Sequence, residues 1–313
     1  MIDALVLGQI VMDVAVFGFK PEFLENKLNR LNGPLGFSVG GDAQNASLTM
    51  GYLGLNTWLS GKIGDDEPGR FCMALAAEAG VNISRVIRVP GGKTATTVNI
   101  VKEGGEASIN TFQGENWNYC NEDVPFDLFS QARCISLHSL FTSLGVEPLE
   151  VFRKAKAAGA KTLADTSTWH GHEKIEMIRD VLPYLDYFCP SYDEAFGLLG
   201  YKAPEDLARS FLEMGAGNVV IKLGAEGCLA SDREGTYKVS AFPVKTVNTT
   251  GAGDNFTAGF IYGLCKGYSL EGAAKCGNAA GAITAASPLT SGAVRSEKQL
   301  LDFIAASGAT LPE

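Results

Sequence analysis

The sequence predicts an α/β fold in which a mainly parallel sheet is flanked by helices, and three observations carry that expectation. Short apolar runs alternate with segments of helical periodicity along most of the chain. The 313 residues, 46% of them hydrophobic, suffice to bury one large core. Two stretches, near residues 14–39 and 93–113, break the rhythm without offering a helical crossover, so the single domain of 1–313 carries an appendage.

Taken in order, the apolar runs at 133–137, 161–165, 186–189 and 218–222 read as strands of the main sheet. Helical patterns over 147–158, 192–199 and 204–214 lie between them. In the second irregular stretch, residues 94–101 and 107–112 flank the turn Glu103-Gly104-Gly105-Glu106, which reads as a β-hairpin. A small sheet built from both stretches would cover the ends of the parallel strands, where ligands bind in such folds, and act as a lid.

The net charge of −9 and the absence of a basic run argue against a partner that is nucleic acid or an anionic membrane. The first residues lack a positive n-region and no stretch near 20 residues is apolar enough to span a bilayer, so a soluble, cytoplasmic protein is expected. Seven cysteines without a Cys-x-x-Cys pair read as buried thiols in a reducing compartment. His170 and His172 form the one histidine cluster, short of the ligands zinc needs.

The most informative segment is Val247-Asn248-Thr249-Thr250-Gly251-Ala252-Gly253-Asp254-Asn255-Phe256, which leads into a helical run. Small residues let backbone approach a ligand, and the first amides of a helix form an anion site aided by its dipole. Asp254 falls in that first turn. Taken alone, the pattern is equally an N-cap with glycines for tight packing. Phe256 stands where a dinucleotide fingerprint needs its third glycine, and no Gly-x-x-x-x-Gly-Lys-Ser/Thr occurs, so neither a Rossmann nor a Walker loop is present. A second segment, Val39-Gly40-Gly41-Asp42-Ala43-Gln44-Asn45-Ala46, again places paired glycines before a helix, with Asn45 able to donate and accept toward hydroxyls.

These two separated signatures, Gly-Gly-Asp-x-x-Asn early and Thr-Thr-Gly-Ala-Gly-Asp-Asn-Phe late, resemble the ribokinase family of carbohydrate kinases, the phosphofructokinase-B type. Gly8 to Asp13 resembles the family's first-strand Gly-x-x-x-x-Asp, and Gly64 to Gly69 its Gly-x-Asp-x-x-Gly turn. Lys222-Leu223-Gly224-Ala225-Glu226-Gly227 resembles the nucleotide-side turn, and Cys276 to Ala280 the helix whose Asn278 lies near adenine.

The resemblance covers nearly the whole chain and implies a three-layer α/β/α sandwich with a small β-sheet lid. It implies ATP and Mg²⁺ as cofactors, and a sugar or sugar derivative phosphorylated on a hydroxyl. Asp254 would be the catalytic base, with the amides of Gly251, Ala252 and Gly253 holding the transferring phosphoryl group. Asp13, Gly40, Gly41, Asp42 and Asn45 would grip the substrate, and Lys222, Gly224, Gly227, Thr249 and Asn278 the nucleotide. His138 and Asp165, at strand ends on the ligand side, could touch substrate or could be satisfied polar residues. Phe112, Trp117 and Trp169 could line a pocket, although aromatics more often serve the core.

Two departures from the family pattern stand out. Asn248 replaces the usual Asp where some members bind a monovalent cation, which leaves dependence on K⁺ open. Ser191 stands where Asn is common in the element linked to magnesium, while Glu194 is retained as the metal-linked acid. Alternatives to a sugar kinase are a nucleoside kinase and a non-catalytic sugar-binding regulator. An exposed lid strand could also pair with a second subunit to give a homodimer.

Overall fold

The computed structural model describes residues 1–31, 33–102, 107–141, 145–166, 171–200, 202–288 and 290–312. In chain order the strands and helices are β1 (Ile2–Leu7), β2 (Val11–Phe19), β3 (Leu35–Gly40), α1 (Asp42–Tyr52), β4 (Thr57–Gly64), α2 (Glu67–Glu78) and β5 (Asn82–Val89). They continue with β6 (Ala95–Lys102), β7 (Ala107–Phe112), β8 (Ala132–Leu137), α3 (Pro148–Ala157), β9 (Lys161–Ala164), β10 (Tyr187–Phe188), α4 (Tyr192–Leu199) and α5 (Pro204–Glu213). The chain ends with β11 (Asn218–Lys222), β12 (Cys228–Ser231), β13 (Thr236–Val239), α6 (Ala252–Cys265), α7 (Leu270–Ala285) and α8 (Glu297–Ala306).

The main sheet has the order β13-β12-β11-β10-β9-β8-β1-β4-β5. It is parallel from β11 to β5, while β12 and β13 are antiparallel. Alternation along β1 sends Ala4 and Val6 to a core shared with α1, α2, α6, α7 and α8, and Leu5 and Leu7 to a core shared with α3, α4 and α5. Two apolar layers on opposite faces make the sandwich of three layers that the sequence led one to expect. The hairpin β12-β13 was not expected, because its strands are four residues each and give little periodicity.

From β1 the chain moves to β4 and β5 on one side, and later elements fill the other side from β8 outward. Such a reversal opens a crevice at the carboxyl ends of the strands. Lys222 ends β11 there, and Gly8, His138 and Asp165 directly follow β1, β8 and β9.

The second sheet has the order β3-β2-β6-β7 and draws on both irregular stretches. Its first arm begins at Val11 and ends at Gly40, wider than the 14–39 expected, so Asp13 lies on β2 and not with the first strand. β6 and β7 pair antiparallel, and their connecting turn, 103–106, lies outside the described residues. All seven cysteines are free thiols. Among the described residues no helix is long and apolar enough to cross a membrane.

Candidate active site

The centre of the site is the start of α6. Gly251 caps the helix in the left-handed region, φ 77°, and a Cβ there would lie 2.1 Å from the Thr290 carbonyl oxygen, so only glycine fits. Asn255 locks this turn by donating Nδ2 to the carbonyls of Gly251 at 2.7 Å and Thr290 at 3.2 Å, while its Oδ1 accepts from Thr49. The N–H of Ala252 donates to Thr249 O at 3.1 Å. The amides of Gly251 and Gly253 have no backbone acceptor among the described residues, so two of the three amides named from the sequence are open to an anion.

Asp254 follows in the first turn, half-buried, and accepts at Oδ2 from Asn45 Nδ2 at 2.8 Å. Burial pushes its carboxyl well above the ordinary carboxylate range, the negative charge of Asp42 adds to this, and the Asn45 bond opposes it. Asn45 belongs to α1, which is entered through Gly40 and Gly41. At Gly41, φ 84°, a Cβ would meet Gln9 O at 2.5 Å, and this close approach brings α1 against the end of β1. Asp42 accepts a hydrogen bond from Ser139, which is held at φ 61° just beyond β8. Asn45 Oδ1 is buried without a hydrogen-bond partner.

Asp13 is buried on β2, its carboxylate seated where a Cβ of Gly40 would be. It pairs in register with Ser38 and Thr97, and Thr97 Oγ1 meets Thr111 Oγ1 at 3.0 Å, so a polar row crosses the small sheet. Burial raises the Asp13 carboxyl to about 6, against the lowering effect of its Thr97 bond.

Behind Asp254 lies a buried ion pair, Lys222 Nζ at 2.7 and 2.9 Å from the two oxygens of Asp165, with Thr257 Oγ1 donating to Asp165 at 2.7 Å. Burial alone would strip both charges, but each outweighs it for the other: Asp165 sits below the usual carboxylate range and Lys222 above the usual range for lysine. A Cβ on Gly253 would be 3.5 Å from Lys222 Nζ, so this cation faces the opening of α6. Nearby, Glu194 Oε2 accepts from Thr166 Oγ1 and from the Ser191 amide, the latter at 2.7 Å. Burial raises its carboxyl, with Lys222 opposing. Ser191 supplies the other half of a capping box at the start of α4. Glu194 is thus an internal acid, only 9% exposed, and not a solvated charge on the surface of α4.

His138 is fully buried, its Nε2 2.8 Å from Ser136 Oγ and its Nδ1 without a partner. Burial lowers its pKa and keeps the ring neutral. Gly224 and Gly227 shape the turn after β11. Asn278 donates to the carbonyls of Val239 and Ser240 at 2.9 and 3.2 Å, tying α7 to the end of β13. Thr249 is exposed, and Asn248 Oδ1 accepts from Thr250 N at 3.0 Å while its Nδ2 reaches Pro288 O at 3.3 Å.

Phe112 and Trp117 are exposed at 58% and 55% and so are not core residues, and Trp169 and His170 lie outside the described residues. His172 is exposed, and no group of three or more His, Cys, Asp or Glu that could hold a metal occurs among the described residues. Sequence reasoning missed Thr257, Ser139 and Asn255, whose roles come from partners 92 to 206 residues away. Only Asn255, next to Asp254, carried a positional hint.

Comparison with known proteins bears on this geometry. The description "pfkB family carbohydrate kinase" matches residues 1–296. A protein of Archaeoglobus fulgidus described as an uncharacterized sugar kinase is 30% identical over 229 residues, 73% of this chain and 91% of that protein. A 5-dehydro-2-deoxygluconokinase of Geobacillus thermodenitrificans is 28% identical over 284 residues, 85% of this chain and 84% of that one. The crystal structure of ribokinase from Thermotoga maritima superposes with a TM-score of 0.82 at 24% identity, covering 97% of this chain and 100% of that one, a likeness of fold.

Proposed function

From the premise that the chain belongs to the pfkB family of carbohydrate kinases, we propose that it transfers the γ-phosphoryl group of ATP to a hydroxyl of a sugar, with Asp254 as the base. The observation that carries the reading is one constellation: Asp254 held by Asn45 at the start of α6, beside the open amides of Gly251 and Gly253 and the Lys222 ammonium. Asp254 takes the hydroxyl proton as the oxygen attacks the γ-phosphorus, the bond to the β-phosphate oxygen breaks, and ADP leaves. A carboxylate with a raised proton affinity suits this, because it is a stronger base once ionised. The amides and Lys222 lie where negative charge moves during transfer, and they need no reorganisation.

Asp13, Asn45 and the backbone at Gly40 and Gly41, with Asp42 behind them, form the substrate side, and His138 and Asp165 its floor. The turn bearing Gly224 and Gly227, with Thr249 and Asn278, frames the nucleotide side. Glu194 would hold Mg²⁺ through water, which fits an ion that keeps most of its hydration and needs few protein ligands; bound with the nucleotide, it neutralises phosphate charge. The small sheet serves as the lid, and its closure keeps water from the phosphoryl group. Asn248 brings no charge and already bonds Thr250 and Pro288, which favours turnover independent of K⁺.

On the face of the small sheet opposite Asp13, Leu35, Phe37 and Phe112 are 50%, 56% and 58% exposed, which favours pairing of two subunits through the lid. Seven free thiols and the need for ATP fit action in the cytoplasm. The test is coupled ADP release with Mg·ATP over a panel of sugars, with and without K⁺, beside light scattering for the dimer. ADP release dependent on one sugar supports the kinase; ligand binding without any turnover would instead make this a sugar-binding regulator.

A further inference from the structure

The charges around the base narrow the substrate class, given the kinase reading above. Asp254 accepts from Asn45, Asp42 lies one turn before Asn45 on α1, and the Asp13 carboxylate lies against Gly40 at the entrance to that helix. The one basic side chain among the leading electrostatic neighbours of Asp254 is Lys222, and Asp165 holds it at 2.7 Å. No basic group acts on Asp13 among the described residues. Among the residues whose side chains are not described, Lys102 is the one lysine or arginine, and it lies at the far end of β6, in register with Phe19.

The polar atoms left open point the same way. Asn45 turns Nδ2 to Asp254, so the atom left for a ligand is the acceptor Oδ1. Asn99 Oδ1 is also buried without a partner. Asn99 shares the Asp13 face of the small sheet, one side-chain row farther along β6, in register with Ala15 and Ile109. Across β2 from it, Ala15 pairs with Gly36, so that row is apolar apart from Asn99. An unmet acceptor is satisfied by a hydroxyl, whereas a carboxylate or phosphate dianion brings no hydrogen to donate.

We propose that the site takes an uncharged polyhydroxylated substrate, a free sugar or a nucleoside and not a sugar acid or sugar phosphate, with Asn45 Oδ1 accepting from a hydroxyl beside the reacting one and Asn99 Oδ1 from one farther along the molecule. Asn99 is thus a specificity residue that the motifs do not contain. A substrate carboxylate would face Asp13, with Asp42 behind it and no free cation among the described side chains to offset it.

The experiment compares D-ribose, D-fructose and adenosine with 2-dehydro-3-deoxygluconate, gluconate and fructose 6-phosphate, using the full chain. It reads kcat/KM by ADP release and binding by thermal shift without ATP. The expected result is a neutral compound ahead of every anionic one by at least about a hundredfold in kcat/KM. Asn99→Leu, checked for an unchanged melting profile, should raise KM about tenfold with kcat nearly constant. An anionic sugar as the best substrate overturns the inference and leaves the kinase reading intact. Thermal shifts from neutral sugars alone, with no ADP from any compound, support the inference and overturn the kinase reading. If neither class binds nor turns over, both fall. An unchanged KM in Asn99→Leu removes Asn99 from specificity.

Discussion

Replacing Asp254 by Asn separates what the acid does for chemistry from what it does to the fold. The carboxamide can still accept from Asn45 Nδ2, so the 2.8 Å bond and the helix start are kept. What disappears is the proton acceptor, and loss of a general base lowers kcat by about 10²- to 10⁴-fold, or ~3–5 kcal/mol of barrier. Stability moves the other way. In the native protein the carboxyl has a raised pKa, through burial first and the Asp42 charge second. Its contribution is therefore fully present below the unfolded-state pKa and is lost as pH rises through the native one. The variant has no such charge to bury, so its Tm should exceed that of the wild type at neutral pH, and the gap should close in acid. Wild-type kcat should in turn fall in acid as Asp254 takes up its proton. Coupled ADP release and thermal unfolding across pH test both arms. A variant that keeps kcat within tenfold of wild type, or that melts lower at neutral pH, refutes the reasoning.

Other substitutions probe the frame around the base. Gly251→Ala forces a Cβ toward Thr290 O at 2.1 Å in a left-handed turn, φ 77°, and should lower Tm and cut kcat about a hundredfold by displacing the open amides; denaturation and turnover measure both. Glu194→Gln removes the one acid assigned to the metal and should raise the Mg²⁺ concentration for half-maximal rate about tenfold, which a Mg²⁺ titration reads directly. Asp13, raised from 3.8 to about 6, makes the native state bind protons more tightly, so stability should decline by about 3 kcal/mol as pH rises across that window. KM for the sugar should inflect near pH 6, and Thr97→Val should move the inflection upward, since the Thr97 bond is what lowers it.

Much of this site could be read from sequence because its parts are local. Gly251 to Asp254 form one helix start, Gly40 to Asn45 another, and a helix start is governed by residues within a turn. The strands and helices from 133 to 222 were legible for the same reason, their periodicity being complete within each segment. What escaped notice depends on distant partners. Thr257 matters because Asp165, 92 residues earlier, reaches it, and Glu194 is an internal acid because Thr166 and Lys222 close over it.

The same division explains why motif residues alone leave the substrate open. The motifs build the part of the site that handles phosphate and the proton, which is common to any acceptor. Discrimination falls to residues such as Asn99, placed by the register of β2, β6 and β7 and not by neighbours in sequence. A shift of one residue between β2 and β6 would pair Asp13 with Thr96 or Val98 in place of Thr97 and so leave Asp13 and Asn99 on opposite faces of the lid. The lid's pairing therefore fixes the substrate side of this site as firmly as the glycines fix its phosphate side.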